Sequence, residues 1–308
     1  MESDLIAWLR KRLPPHPLLL LGPGDDAAVL RMAEVDECIV TVDMLTDQVD
    51  FDLSRVDPRR AGRKCLAANI SDLAAMAAEP LAGVVALALP RKGAMELATA
   101  LYEGMLPLAE RYDLAIAGGD TNSWDGPAAV SITLIGRVTA NGPLRRDGAR
   151  PGDRILVTGS FGGSILGRHL DFEPRLREAL LLNERYRLHA GIDVSDGLSI
   201  DLAHLVQESG CGAVVDIENI PIHDDARRLA RQLADGSTAR DHALGDGEDF
   251  ELILAVHPEE AGRMLAEQPL QTPLTDIGCF IAEADLWQAD QDGVRRKLIP
   301  RGWQHKFD

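Results

Sequence analysis

Apolar and polar positions alternate along the chain with two different periods. Ile6, Leu9 and Leu13 recur at helical spacing, which predicts a short amphipathic helix ended by Pro14 and Pro15. A turn is expected at Gly22-Pro23-Gly24-Asp25-Asp26, and Cys38-Ile39-Val40-Thr41-Val42-Asp43 reads as a buried strand ending in a carboxylate. Asp57 and Pro58 have the form of an N-cap and a first helical residue, opening an Ala-rich helix that runs to about Met76. Leu81 to Leu89 then reads as a strand, Met95 to Tyr112 as a helix carrying Pro107, and Leu114 to Ala117 as a strand entering Gly118-Gly119-Asp120-Thr121. Val130 to Val138 is a further strand.

Asn141 to Asp153 is rich in Gly, Pro and Arg and forms the expected seam between a first half, residues 1–140, and a second, residues 150–308. The second half opens with a strand at Arg154 to Val157 and a glycine-rich turn, Thr158-Gly159-Ser160-Phe161-Gly162-Gly163. Strands follow at Gly191 to Asp193, Ala213 to Ile217 and Phe250 to Val256, and helices at Leu198 to Glu208, Asp224 to Leu233 and Glu259 to Glu267. Both halves therefore read as mixed α/β, with no solenoid repeat.

Composition narrows the function classes. With 49 acidic against 32 basic residues, the net charge of −17 opposes binding to nucleic acid or to an anionic membrane. No apolar run approaches the roughly 20 residues that span a bilayer. The start, MESDLIAWLRKRLPP, lacks the pattern of a signal peptide. The four cysteines are widely spaced without a C-x-x-C pair, which argues against a zinc site or disulfide framework and suits the cytoplasm.

The chemistry concentrates in carboxylates set at strand ends or among glycines: Asp25, Asp26, Asp43, Asp72, Asp120, Asp193, Asp196, Glu248 and Asp249. A carboxylate held away from water is costly unless a positive group meets it, and few Lys or Arg stand beside these positions. Hard divalent cations such as Mg²⁺ answer that need through oxygen ligands and phosphate. Neighbouring glycines let backbone N–H groups approach phosphate. Neither G-x-x-x-x-G-K-[ST] nor the protein-kinase motifs occur, so any nucleotide site is of another kind.

In order, Gly22-Pro23-Gly24-Asp25-Asp26-Ala27-Ala28, Thr41-Val42-Asp43-Met44-Leu45, Asn69-Ile70-Ser71-Asp72-Leu73-Ala74-Ala75-Met76, Gly118-Gly119-Asp120-Thr121, Arg146-Asp147-Gly148-Ala149-Arg150-Pro151-Gly152-Asp153, Ile192-Asp193-Val194-Ser195-Asp196-Gly197-Leu198 and Gly247-Glu248-Asp249-Phe250-Glu251-Leu252 resemble the thiamine-monophosphate kinase family. That family lies in the superfamily of aminoimidazole ribonucleotide synthetase. The resemblance implies a two-domain aminoimidazole ribonucleotide synthetase-like fold whose N-terminal domain pairs in a homodimer. It implies ATP-dependent, Mg²⁺-assisted phosphorylation of thiamine monophosphate. It also implies metal positions at Asp26, Thr41, Val42 (through its carbonyl), Asp43, Asp72, Asp120, Asp193 and Asp196. Tyr102, Gly119, Asp120, Arg146 and Ser195 are the implied ATP positions, and Asp50, Glu248 and Trp303 the implied acceptor positions. Asp72, Asp120 and Arg146 are the implied catalytic set. Asp50 stands where the family usually carries His. Another ATP-using enzyme of the superfamily, or a catalytically silent nucleotide-binding regulator, is the alternative reading.

Overall fold

In the computed structural model, which describes residues 8, 9, 11–21, 29, 30 and 37–304, the first strand expected to be buried proves to be an exposed edge. This strand, β3 (Cys38–Thr46), alternates between two faces. Thr41 and Asp43 are half-buried on one face, and Val40, Val42 and Met44 are 62%, 60% and 67% exposed on the other. Val40, Val42 and Met44 face outward while Ile39 and Leu45 face inward, so the strand is buried on one face only, against the sequence expectation.

The described residues fall into two units, Met1–Leu73 with Ala78–Ala140, and Ala74–Ala77 with Asn141–Asp308. The short strands β1 (Leu19–Leu21) and β2 (Val29–Leu30) pair with each other in the first unit. Its larger sheet has the order β3-β6-β4-β5, with β4 (Glu79–Pro90), β5 (Ala115–Trp124) and β6 (Ala129–Arg137). Only β4 and β5 run parallel. Leu45, Val85, Leu87, Val130, Ile132 and Leu134 bury one face of this sheet.

The helices Pro58–Ala75 and Ala94–Arg111 belong to this unit up to Leu73. Asp57 Oδ1 accepts the Arg59 N–H at 2.9 Å, and Pro58 follows in the first turn, so the helix starts as the sequence predicts. The two helices approach at glycines: a Cβ on Gly104 would sit 1.8 Å from the Arg59 carbonyl oxygen. The first helix is buried almost all round, including Lys64, Asn69 and Ser71. The second continues through Pro107.

The second unit is built on a seven-stranded sheet of order β13-β12-β9-β11-β7-β10-β8. Its strands are β7 (Arg154–Thr158), β8 (Leu188–Asp193), β9 (Gly212–Asp216), β10 (Leu252–Val256), β11 (Leu274–Ile281), β12 (Asp285–Ala289) and β13 (Arg295–Lys297). Ile155, Val157, Ile192, Ile253, Val215 and Phe280 form a core with Leu198, Leu202 and Leu205 of the helix Leu198–Ser209. Mixed sheets with helices in both units agree with the expected fold class. The helices Leu176–Arg185 and Ala239–Gly245 and the last three strands carried no element in the sequence reading.

Candidate active site

In the first unit the strand β3 and the helix Pro58–Ala75 place four polar groups together. Thr41 and Asp43 lie on the half-buried face of β3. Asn69, fully buried on the helix, accepts the Asp43 N–H at 3.2 Å and donates to the Cys65 carbonyl at 3.0 Å. It thereby ties strand to helix. The Thr41 hydroxyl donates to Asp72 Oδ2. That orientation uses the hydroxyl's proton and leaves its oxygen lone pairs to face a cation. Thr41, Asp43 and Asp72 together form a hard oxygen donor set that suits Mg²⁺. Val42 points to the opposite face, so only its carbonyl is relevant to such a set.

The remaining sequence-predicted positions of this unit stand apart from that group. Asp120 is exposed on β5 and pairs with Ala86, which with Val84 faces the open side of the sheet. Asp43 pairs with buried Ile132, so Asp43 and Asp120 lie on opposite faces. Asp120 Oδ1 accepts the adjacent Thr121 N–H at 2.9 Å. The strand expected over Leu114 to Ala117 instead continues through Gly118-Gly119 to Trp124. Gly119 is required there, because a Cβ would meet the Val85 carbonyl oxygen at 1.8 Å. Tyr102 is 2% exposed with its ring 6.4 Å from that of Trp8, and burial pushes its phenol above the ordinary range. Asp50 closes the loop after β3: its Oδ2 accepts the Thr46 N–H at 2.6 Å, and fully buried Lys64 donates to its carbonyl at 2.5 Å. Asp26 lies outside the described residues.

In the second unit one loop organises the predicted residues. β8 ends at Asp193, 2% exposed, and the chain turns through Val194-Ser195-Asp196-Gly197 into a helix. Glu248 N–H donates to the Ser195 carbonyl at 2.7 Å, Phe250 N–H to that of Val194 at 2.7 Å, and Trp303 N–H to that of Asp196 at 2.9 Å. Residues implied to meet metal, nucleotide and acceptor thus share one hydrogen-bonded assembly. Ser199 Oγ fixes the segment before Trp303, donating to the Arg301 carbonyl and accepting the Arg301 N–H, both at 2.9 Å. Trp303 itself is 53% exposed. Arg146 is exposed in a 3₁₀ turn whose carbonyl accepts Ser209 Oγ at 2.6 Å.

Sequence reasoning missed Asp201. Its Oδ2 accepts the N–H groups of Asp196 at 3.0 Å and Gly197 at 2.9 Å, holding the loop from inside the helix. Burial first, then the charge of Asp193, pushes its carboxyl up to about 8, with Asp196 adding to the effect. The crowding is that of a carboxylate group short of positive charge. Among the described residues, ligand atoms of Asp196, Asp201 and His204 all lie within 4.8 Å of one another. Asp201 and His204 are three apart on one helix and so share a face, which is the signal that would have found them.

The glycine turn after β7 faces the chain's own carboxylates. Gly162 N–H meets Asp249 Oδ1 at 3.0 Å and Oδ2 at 2.9 Å, and Gly163 N–H meets Asp246 Oδ2 at 2.7 Å. Arg168 Nη2 donates to Asp249 at 2.8 Å, and Ser164 Oγ to the Gly247 carbonyl at 2.6 Å. Burial pushes Asp249 up to about 7 against the pull of Arg168. The turn is therefore a cradle for the 246–249 loop. No described helix is long and apolar enough to cross a membrane.

Comparisons with known proteins agree along the whole chain. Residues 24–138 match the family profile "AIR synthase related protein, N-terminal domain", and residues 150–285 match the corresponding C-terminal domain. The thiamine-monophosphate kinase of Rhodopirellula baltica is 40% identical, over 99% of this chain and 97% of that protein. The crystal structure of thiamine-monophosphate kinase from Stenotrophomonas maltophilia superimposes with a TM-score of 0.77 at 32% identity, covering 94% of this chain and 95% of that one. AaThiL complexed with AMPPCP and TMP also gives a TM-score of 0.77, at 26% identity, over 99% of this chain and 97% of that chain.

Proposed function

Since this chain belongs to the thiamine-monophosphate kinase family, we propose that it transfers the γ-phosphoryl group of ATP to thiamine monophosphate, giving thiamine diphosphate and ADP. The observation that carries this reading is the shared assembly around Val194–Gly197, where the backbones of Glu248 and Trp303 hydrogen-bond to the loop bearing Ser195 and Asp196. A relative of the same fold complexed with AMPPCP and TMP supports the choice of ATP and thiamine monophosphate as ligands.

The acceptor is already an anion near neutral pH, because a phosphate monoester has a second pKa of about 6. The chain therefore needs no general base. The obstacle is repulsion between two anionic phosphates. Magnesium ions would supply the positive charge that screens that repulsion. Asp43 and Asp72 with Thr41, and Asp193 with Asp196, are the residues that would hold them. Asn69 and Asp201 hold the backbone on which these ligands stand. Ser195 and Arg146 meet the nucleotide, where a guanidinium fork suits a phosphate. Trp303 offers an exposed ring to the cationic thiazolium or the pyrimidine of the acceptor.

A second copy of the chain covers the open face of the first unit's sheet. Val40, Val42 and Met44 on its edge strand, with Val84 at 42% exposure on β4, form an apolar stripe that an isolated soluble unit would leave in water. The test of the activity is incubation with thiamine monophosphate, ATP and Mg²⁺, followed by chromatography. Thiamine diphosphate that appears only when all three are present supports the reading. ATP binding without that product overturns it.

A further inference from the structure

The loop Gly247–Phe250 is held in an unusual backbone form. Glu248 has φ 63° and Phe250 φ 53°, left-handed values that non-glycine residues rarely adopt. The single helical turn Arg168–Asp171 grips two consecutive carboxylates of this loop. Arg168 takes Asp249, as described, and His169 Nδ1 lies 3.0 Å from Glu248 Oε2. His169 is 6% exposed, whereas the Glu248 side chain is 29% exposed. A dry imidazole thus grips one oxygen of a carboxylate that reaches toward solvent. Phe250 fixes the far end of the loop by stacking on Phe172, with ring centroids 3.9 Å apart.

We propose that His169 is a positioning residue for acceptor recognition, setting the Glu248 carboxylate in the orientation that receives thiamine monophosphate. The inference rests on the reading of Glu248 as an acceptor-binding residue. A glutamate side chain loses rotamer entropy when it is ordered. With His169 in place that loss occurs on folding, and the acceptor meets a carboxylate already aimed. The acceptor's cationic thiazolium and aminopyrimidine are the groups such a carboxylate recognises.

Steady-state kinetics on the full-length enzyme, varying each substrate with the other saturating, tests this. His169→Ala should raise the KM for thiamine monophosphate by about tenfold, leaving the KM for ATP and kcat within about threefold. His169→Asn places an amide N–H where Nδ1 stood and should stay near wild type. His169→Gln moves that donor and should behave like the alanine variant. If the alanine variant fails to fold, the Asn and Gln pair still decides the matter. Glu248→Gln should itself raise the acceptor KM, and the double variant His169→Ala/Glu248→Gln should be no worse than the worse single one. Additive losses, or an unchanged acceptor KM in both His169→Ala and His169→Gln beside a raised one in Glu248→Gln, overturn the inference and leave the function standing. An unchanged acceptor KM in Glu248→Gln overturns the reading of Glu248 and the inference together.

Discussion

Removing Arg175 should expose how much the active loops depend on one buried ion pair. Glu251 is 5% exposed and lies between the two loops of the second unit, its carbonyl accepting the Val194 N–H at 2.8 Å. Arg175 meets its carboxylate with two parallel bonds, Nε to Oε2 at 2.7 Å and Nη2 to Oε1 at 2.6 Å. Thr158 Oγ1 supplies a third donor at 2.6 Å. Burial alone would lower the guanidinium's pKa; the bonds to Glu251 outweigh it and hold Arg175 above the usual range. Arg175→Met leaves the carboxylate buried with only the threonine hydroxyl. Breaking one side of such a pair costs about 3–5 kcal/mol. For a unit of this size that corresponds to a fall in Tm of roughly 10 °C in differential scanning calorimetry. Adding Glu251→Gln removes the stranded charge and keeps an acceptor for Thr158, so more than half of the loss should return. A fall under about 2 °C in the single variant, or no recovery in the double one, would refute the reasoning.

Three further outcomes follow from the geometry. Asp201, with its carboxyl raised above its ordinary 3.8 to about 8, binds a proton more tightly folded than unfolded. Its contribution to stability is complete below about pH 4 and is lost as pH rises toward 8. In EDTA the Tm should therefore fall across that window, less steeply for Asp201→Asn, and equal slopes would contradict this. Asp72→Asn weakens the oxygen set completed by the Thr41 hydroxyl and should lower kcat by a factor on the order of 10² or more with Tm nearly unchanged. Near-normal turnover at saturating Mg²⁺ would count against the metal role of Asp72. Val42→Asp puts a charge in the middle of the exposed stripe and should give a monomer in light scattering where the wild type gives a dimer.

Local signals made much of this legible in the sequence, and through-space partners made the rest invisible. The helix beginning at Asp57-Pro58 was readable because its cap and first residue are adjacent in the chain. Asp193 at a strand end was readable for the same reason. The run Cys38–Asp43 misled because apolar content was taken for burial, whereas its alternation already separated Val40 and Val42 from Thr41 and Asp43. The strand reading stopped at Ala117, before the glycine pair, but Gly119 serves close contact with β4 inside a strand that runs on to Trp124. The turn at Gly162-Gly163 shows the deeper limit. Its amides meet Asp249 and Asp246, more than 80 positions away, and no local pattern announces that pairing. His169 and Arg175 escaped notice likewise, since their carboxylate partners are distant in sequence.

The central claim is that these carboxylates hold hard cations against the phosphates of both substrates. Anomalous diffraction from crystals grown with Mn²⁺, an ATP analogue and thiamine monophosphate addresses it directly. The account predicts anomalous peaks about 2.0–2.3 Å from carboxylate oxygens of Asp43 or Asp72 and of Asp193 or Asp196, each also touching a phosphate oxygen. Bound nucleotide with no peak at any of these four residues would contradict it.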